Sequence, residues 1–266
     1  MVAYRERVNK RLEQKEKRYE TEQLLKKKRS EEYQVLEEVF DKSTLMTIYG
    51  LLNKGVIDEI HGVVKAGKEA RIYWGTDREG KELAIKIYLT IASEFKKGKL
   101  RYIRGDPRFT HIRRETRSIV FAWALKEFKN LKLALKAKVK VPKPFVVKKN
   151  VLVMQFIGKN GIPAPNLKEL PPKNPERIYN ELLAFVRRLY QKSKLIHGDI
   201  SEYNIMVWRG RPVLFDMAQG VLLSHPMATT FLKRDLQNLH RYFKKQGVKV
   251  LSTDEAYRKV VEDVKT

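Results

Sequence analysis

The chain has 266 residues, of which 42% are hydrophobic and 10% aromatic, enough for a packed core and too many for a disordered chain. Its 56 Lys and Arg outnumber its 31 Asp and Glu to give a net charge of +25, which favours a polyanionic partner such as RNA. The absence of Cys excludes disulfides, thiol nucleophiles and thiolate zinc sites. No apolar run could cross a membrane and no signal peptide is apparent, so we expect a cytoplasmic protein.

The first predicted element is a solvated helical arm over residues 1–38, a stretch with dense charges of both signs and neither Gly nor Pro. A short buried helix follows, with Ser43 as its N-cap and Gly55 at its end. Between Val56 and Leu89, three β-rich segments alternate with turn signals. They predict three antiparallel strands.

Residues 92–113 mix Gly, Pro and basic side chains without a sustained period, which predicts a mobile loop or a short broken helix. Ser93 and Thr110 in this segment are candidate autophosphorylation sites. Helical spacing of apolar residues then resumes near Arg114 and ends at the proline-rich turn after Val141.

The rest of the pattern consists of two strands and two long helices. The strands are predicted over residues 144–149 and 151–158, and the helices over 175–194 and 228–245. A strand-rich first half and a helix-rich second half predict an α+β protein with two lobes, a cleft between them and a hinge near Gln155.

The strongest chemical signal is the segment that begins at His197. Asp199 and Asn204 have the H-x-D-x-x-x-x-N spacing of a phosphotransferase catalytic loop, and Asp216 follows an apolar strand as a metal-binding Asp would. Phosphoryl transfer needs one carboxylate to orient or deprotonate the acceptor and oxygen ligands to hold Mg²⁺ against the triphosphate. This combination predicts a phosphotransferase.

Lys86 interrupts the apolar third strand, at the place of the phosphate-contacting Lys in the V-A-I-K motif of protein kinases. Its expected partner is a Glu on the following helix, where Glu115 and Glu127 compete. Glu127 lies four residues from both Trp123 and Leu131, on the inward-facing stripe. We therefore choose Glu127.

The turn between the first two strands reads Val64-Lys65-Ala66-Gly67-Lys68-Glu69-Ala70 and holds one glycine. It matches neither G-x-G-x-x-G nor the Walker motif, which leaves a plain hairpin turn as one interpretation. The alternative is a phosphate cover made by backbone amides and Lys68.

Several segments together resemble the Rio atypical serine/threonine protein kinases, most closely the archaeal form of their first subfamily. The resemblance covers roughly residues 45–250 and is carried by the Lys86 strand and by GKEARIY, LKEFKNL, LVMQFIGKNGIPAP, LIHGDISEYNIMVW, VLFDMAQGV and SHPMATTFLKRD. It implies a two-lobed protein-kinase-like fold with a truncated C-terminal lobe and an N-terminal helical extension. The expected domains are a basic helical arm (1–42), an N-terminal lobe (43–157) and a helical C-terminal lobe (158–266).

The resemblance also implies how ATP is held. Lys86 and Glu127 would form the ion pair that holds ATP, while the turn residues Lys68 and Glu69 belong to the same nucleotide site. Gln155 and Ile157 in the hinge would contact adenine. The family's glycine loop often has Ser-Thr where this chain has Lys65-Ala66, so hydroxyl contacts from the turn to phosphate are not expected.

For the reaction itself, the resemblance implies that Asp199 is the catalytic residue. Asn204 and Asp216 would be the ligands of Mg²⁺, with Mn²⁺ as an alternative ion. Asp216 is in addition the residue on which an aspartyl-phosphate intermediate would form, which makes it catalytic as well.

The resemblance implies the function of a Mg-ATP-dependent atypical Ser/Thr protein kinase and ATPase acting in small ribosomal subunit maturation. Its partners would be ATP, the precursor small ribosomal subunit with its RNA, and a protein substrate or the chain itself as acceptor. Residues 126–149 carry nine Lys and one Glu, which fits RNA contact or the solvated surface of a heat-adapted protein. The alternatives are a small-molecule phosphotransferase of the aminoglycoside or choline kinase type and a non-catalytic RNA-binding scaffold.

Overall fold

The computed structural model describes Leu36 and residues 39–90, 94–109, 112 and 115–262. The predicted arm over residues 1–42 lies almost wholly outside the described residues, as do Ser93 and Thr110. Backbone contacts divide the chain into two compact units, Met1–Met46 and Thr47–Thr266, and all the elements of the candidate site belong to the second.

Helix α1 spans Lys42–Asn53 and therefore begins before the predicted N-cap, Ser43. The side chain of Asp41 accepts a hydrogen bond from the amide of Thr44 at 3.1 Å, which is the bond that an N-cap residue makes. Asp41 therefore caps this helix, and the prediction of Ser43 was wrong by two residues.

A five-stranded antiparallel sheet follows, with the order β1-β2-β3-β5-β4. Its strands are β1 (Glu59–Ala66), β2 (Ala70–Thr76), β3 (Glu82–Tyr88), β4 (Pro144–Lys148) and β5 (Val151–Gln155). Strand β3 is the central strand, and its register places Lys86 between Ile72 of β2 and Leu152 of β5. Six of the seven residues of β3 are buried, and Lys86 is one of them.

Helix α2 (Glu94–Ile103) and a 3₁₀ turn (Pro107–Phe109) occupy the segment for which the sequence allows a mobile loop or a broken helix. The broken helix is what the structure contains. Tertiary contacts stabilise it, because the ring of Tyr102 stacks on Phe231 with centroids 5.0 Å apart and Nε2 of His225 lies 3.0 Å from the carbonyl oxygen of Arg101.

Helix α3 (Thr116–Lys136) runs through the middle of the unit and packs against the sheet on one side and the later helices on the other. It is buried around most of its circumference, and its enclosed residues include the polar side chains of Lys126, Glu127 and Asn130. Each of these polar groups needs a partner inside the protein, and each finds one at the candidate site.

The second half of the chain is mainly helical, with short hairpins between the helices. The strands are β6 (Gly158–Lys159), β7 (Ile162–Pro163), β8 (Leu195–Ile196), β9 (Ile205–Trp208), β10 (Arg211–Leu214) and β11 (Val221–Leu222), with a 3₁₀ turn at Met217–Gln219. The helices are α4 (Pro175–Ser193), α5 (Ala228–Lys245) and α6 (Thr253–Val261). The whole is an α+β protein of the predicted class, and none of the helices in its described part is long and apolar enough to span a bilayer.

Candidate active site

A cavity of about 260 Å³ lies between the five-stranded sheet and the loops that follow β8 and β10. The sequence-predicted residues that line it are Lys68, Glu69, Lys86, Glu127, Asn204 and Asp216. Lys99, Trp123, Met154 and Gln219 line it as well. Residues from seven separate parts of the chain thus meet at one concave site, the arrangement expected of a ligand site.

Lys86 is the centre of a charged cluster at the floor of this cavity. Its Nζ donates to Oε1 of Glu127 and to Oδ1 of Asp216, both at 3.0 Å. Burial alone would lower the pKa of Lys86, but the carboxylates of Asp216 and Glu127 outweigh it and raise the pKa. Lys86 is therefore fully charged, with its ammonium shared between two carboxylates.

Glu127 is completely buried, and burial raises the pKa of its carboxyl while Lys86 acts in the opposite direction. The hydroxyl of Tyr88, two residues after Lys86 on β3, donates to Oε2 of Glu127. Strand β3 thus supplies both partners of Glu127, and this fixes the face that α3 turns toward the sheet.

Asp199 lies directly beside the cavity and is held by two residues that line it, Asn204 and Gln219. Nδ2 of Asn204 donates to Oδ2 of Asp199 at 2.8 Å and to its carbonyl oxygen at 2.9 Å, and Nε2 of Gln219 donates to the same Oδ2 at 3.0 Å. Burial, assisted by the charge of Asp216, raises the pKa of Asp199 to about 6. A carboxyl with this pKa can exchange a proton near neutral pH.

Helix α5 holds the backbone on either side of Asp199. The amides of Gly198 and Ile200 donate to the two carboxylate oxygens of Asp235 at 2.7 and 2.9 Å, and Arg234 donates to the carbonyl oxygen of Gly198. Gly198 has φ of +77°, a conformation that glycine adopts without steric cost. Burial raises the pKa of Asp235 to about 7.

Asp216 has a left-handed backbone, with φ and ψ both 58°, which is uncommon for a residue other than glycine. This conformation turns its carboxylate toward Lys86 as the chain leaves β10. Lys86 holds the pKa of Asp216 below its usual range although burial opposes the shift. Strained backbone of this kind is often found at functional sites.

A network of buried polar groups on α3 holds the turn that follows Asp216. Nδ2 of Asn130 donates to the carbonyl oxygens of Met217 and Gly220 at 2.7 and 2.8 Å, and Lys126 also donates to Gly220. Nζ of Lys126 lies 3.2 Å from the carboxylate of Asp106, which also pairs with Arg108. Neither Lys126 nor Asn130 was among the predicted site residues, although both are buried on α3 as Glu127 is.

The two predicted hinge residues do not line the cavity. Gln155 is exposed, with Oε1 accepting from the amide of Lys143 at 3.4 Å, and Ile157 is buried against Ala164 and Val213. Met154, the residue before Gln155, is the β5 residue whose side chain reaches the cavity. Any contact of Gln155 or Ile157 with adenine would therefore come from their backbone atoms, while Met154 could contribute its side chain.

Divalent cation binding here would depend on few protein ligands. Within the described ranges, no three His, Cys, Asp or Glu side chains form a metal-binding cluster. Two hard oxygen donors belong to residues that line the cavity, the carboxylate of Asp216 and the amide oxygen of Asn204. The amide nitrogen of Asn204 donates to Asp199, which leaves its oxygen available. One or two oxygen ligands from the protein, completed by phosphate and water, suit Mg²⁺.

Comparisons with known proteins identify the family to which the chain belongs. The RIO domain family matches residues 71–256. Two archaeal proteins named RIO-type serine/threonine-protein kinase Rio1, from Haloferax volcanii and Methanocaldococcus jannaschii, are each 39% identical to the chain; the matches cover 83% and 91% of this chain and 75% and 84% of theirs.

Among solved structures, the Rio2 kinase of Chaetomium thermophilum in its ADP/Mg²⁺-phosphoaspartate complex superposes with a TM-score of 0.63 at 23% identity. The match covers 82% of this chain and 66% of that one, and it shows that the two share a fold. On the strength of the family match and the two archaeal relatives, the chain belongs to the RIO family of serine/threonine-protein kinases.

Proposed function

We propose that the cavity around Lys86 binds Mg-ATP and that the protein transfers its γ-phosphoryl group to an acceptor held beside Asp199. One observation carries this proposal: Lys86, Glu127, Asn204 and Asp216 line a single cavity, and Asn204 holds Asp199 at its edge. The names of the archaeal relatives support a Ser/Thr protein kinase over a small-molecule phosphotransferase.

Each residue of the cluster would have a distinct part in the transfer. Lys86, oriented by Glu127, positions the phosphates of ATP. Asp199 accepts the proton of the attacking hydroxyl or orients it, while the amide nitrogen of Asn204 keeps the carboxylate in place. Mg²⁺, held by Asp216 and Asn204, would neutralise phosphate charge when bound.

A second route would use Asp216 itself as the acceptor. Its carboxylate oxygen would form a bond to the γ phosphorus as the bond from phosphorus to the β–γ bridging oxygen breaks, with the electron pair leaving on ADP. Water would then hydrolyse the acyl phosphate to inorganic phosphate, which completes an ATPase cycle. The Rio2 kinase structure is described as a phosphoaspartate complex, which makes this route chemically reasonable here.

The partner we propose is the precursor of the small ribosomal subunit and its RNA, with release or maturation of the subunit driven by ATP hydrolysis. Support comes from the basic stretch over residues 126–149, where Lys132, Lys136, Lys138 and Lys143 are exposed. Exposed Lys residues clustered in this way bind phosphate backbones with little sequence preference. The location consistent with this role is the cytoplasm.

The deciding experiment follows γ-labelled phosphate from Mg-ATP with and without small ribosomal subunits, using the wild-type protein, Asp199→Ala and Asp216→Ala. We expect inorganic phosphate release stimulated by subunits, and a hydroxylamine-labile protein adduct that is absent in Asp216→Ala. Asp199→Ala should retain the native fold and lose transfer.

Acid-stable label on Ser or Thr that is indifferent to subunits would instead identify protein phosphorylation as the working activity. Full turnover by Asp199→Ala would overturn the assignment of the site. Failure of the protein to co-sediment with subunits at low salt would overturn the ribosomal proposal and leave the kinase intact.

A further inference from the structure

Lys99 is a buried lysine that the sequence analysis did not assign to the active site. It lies on α2, the helix between β3 and α3, and is only 7% exposed. Its Nζ is 4.6 Å from the centre of the Trp123 ring, it pairs with Glu69, and both of these residues line the cavity with it. Helix α2 thus places a cation in the cavity from a segment outside the sheet and the catalytic loop.

A positive charge in addition to that of the proposed Mg²⁺ would stabilise phosphate in this cavity. The ammonium of Lys86 faces two carboxylates, so that cluster carries a net negative charge before any phosphate enters. The loop from Asp199 to Asn204, with the sequence DISEYN, contains no Lys or Arg. Lys65 and Lys68 of the β1–β2 turn are exposed, so water screens their charges.

The charge of Lys99 reaches both catalytic carboxylates. It is among the groups that lower the pKa of Asp199 and the pKa of Asp216. Glu69, its present partner, has a side chain that is 56% exposed and can therefore move away into solvent. A phosphate that entered the cavity would meet an ammonium already stripped of most of its water.

We propose that Lys99 is a catalytic residue that binds the γ-phosphoryl oxygens of ATP, exchanging Glu69 for phosphate. During transfer, the acceptor oxygen bonds to the γ phosphorus, the bond to the β–γ bridging oxygen breaks, and its electron pair leaves with ADP. The proton of the acceptor passes to Asp199. Lys99 stabilises the negative charge on the transferred group, in the manner of a cationic clamp on a phosphoryl transition state.

This inference rests on the proposed transfer at Asp199. Its test must distinguish a contact with the γ-phosphate from a general contribution to nucleotide binding. Lys99→Met removes the charge and keeps the length of the side chain, while Lys99→Arg keeps the charge. Arg104→Met is the matched control, because Arg104 is an exposed basic residue of the same segment. For each variant, kcat and KM for Mg-ATP are measured together with the Kd for Mg-ADP and the melting temperature.

We expect Lys99→Met to lower kcat by about 10- to 100-fold while the Kd for ADP, which lacks the γ-phosphate, changes by less than about twofold. Lys99→Arg should recover most of the lost rate, and Arg104→Met should match the wild type. If Lys99→Met lowers the melting temperature, Lys99→Gln is compared with Lys99→Arg well below both transitions.

Equal losses of ADP and ATP binding in Lys99→Met would overturn the inference, because they are what a merely structural ion pair with Glu69 predicts. So would an unchanged kcat. If Asp199→Ala is inactive in the same assay, such a result removes only the role of Lys99. If Asp199→Ala is fully active, the proposed transfer at Asp199 is itself wrong.

Discussion

Asp199 and Asp216 share one site but lie in opposite electrostatic environments. Burial and the neighbouring carboxylate raise the pKa of Asp199 to about 6, whereas Lys86 holds the pKa of Asp216 below its usual range. Carboxyl groups whose pKa values are driven apart in this way commonly divide the acid–base and charge-stabilising roles. Asp199 is suited to accept a proton near neutral pH, and Asp216 to remain ionised as a metal ligand.

The raised pKa of Asp199 predicts an acid limb in the activity. Because the base must be deprotonated and its folded-state pKa is about 6, phosphoryl transfer should decline as the pH falls through about 6. Asp199→Asn cannot accept the proton, and its kcat should be lower by at least about 100-fold with no acid limb near 6. A kcat profile measured from pH 5 to 8 checks this, and a wild-type rate that is flat over this range would contradict it.

A second test concerns the charge of Lys86, which compensates the buried carboxylate of Glu127. In Lys86→Met, Glu127 stays buried without its cation, so we expect the unfolding free energy to fall by about 3 kcal/mol and kcat/KM for Mg-ATP by about 100-fold. The double variant Lys86→Met with Glu127→Gln should regain stability but not activity, because it removes the uncompensated charge. Urea unfolding and steady-state kinetics measure both quantities, with the exposed Lys81→Met as control. Equal stability of the single and double variants would contradict this account.

Sequence reasoning found the residues of the site whose spacing or face is diagnostic. Asp199, Asn204 and Asp216 follow a fixed spacing, and Glu127 was selected over Glu115 because it lies on the inward stripe. Gln219 could not be found in this way, because it lies 20 residues after Asp199 in the sequence. Its bond to Asp199 depends on the 3₁₀ turn in which Gln219 lies. Their roles in catalysis remain predictions that the kinetic tests above address.

At the scale of elements, helix α3 connects most parts of the site. One of its faces supplies Glu127 to Lys86, and the same region of the helix supplies Asn130 and Lys126 to the turn after Asp216. Glu127 was selected because it is a polar residue on the apolar stripe of its helix. The same criterion, applied to all the helices, also selects Asn130 on α3 and Asp235 on α5.

Replacing Asn130 should therefore affect both stability and catalysis. Asn130→Leu has a similar volume but leaves the carbonyl of Met217 without its donor, so we expect the unfolding free energy to fall by about 2 kcal/mol. The turn that carries Gln219 loses its support, and kcat should fall with it. The exposed Lys136→Met on the same helix should stay within about 0.5 kcal/mol of the wild type. A loss of stability with kcat unchanged would show that the network does not position the catalytic groups.

The elements that sequence reasoning missed or left open depend on contacts or on short signals. Helix α2 has an irregular pattern and is stabilised by Tyr102 on Phe231 and by the contact of Arg101 with His225. Helix α6 is short, but its beginning carries a capping box in which Ser252 and Glu255 satisfy each other's amides. That motif is present in the sequence as S-x-x-E and could have been used to predict the start of the helix.

At the scale of the whole molecule, the net charge of +25 makes RNA binding testable through the exposed lysines. Replacing the exposed Lys132, Lys136 and Lys143 by Gln should reduce the slope of log Kd against log salt by about one unit for each lysine that contacts phosphate. Replacing Lys233, Lys244 and Lys245 of α5 changes the net charge equally and is the control. Binding to a small-subunit RNA fragment is measured between 50 and 300 mM salt, concentrations chosen on the order of the physiological range. Equal slopes for the two triple variants would indicate a generally charged surface and no defined interface.

The attachment of α3 at two points has a consequence for control of the enzyme. In ordinary protein kinases, activity is set by whether the helix that bears the Glu partner of the β3 lysine is in place. Here that helix is also fastened, through Asn130, to the carbonyls of Met217 and Gly220 next to Asp216, the metal ligand proposed above. An outward swing would break the Lys86 pair and the turn beside Asp216 together, so we expect no stable intermediate with only one of them lost. A helix attached in this way would be either wholly in place or wholly displaced, and no partly displaced form would be available as a regulated resting state.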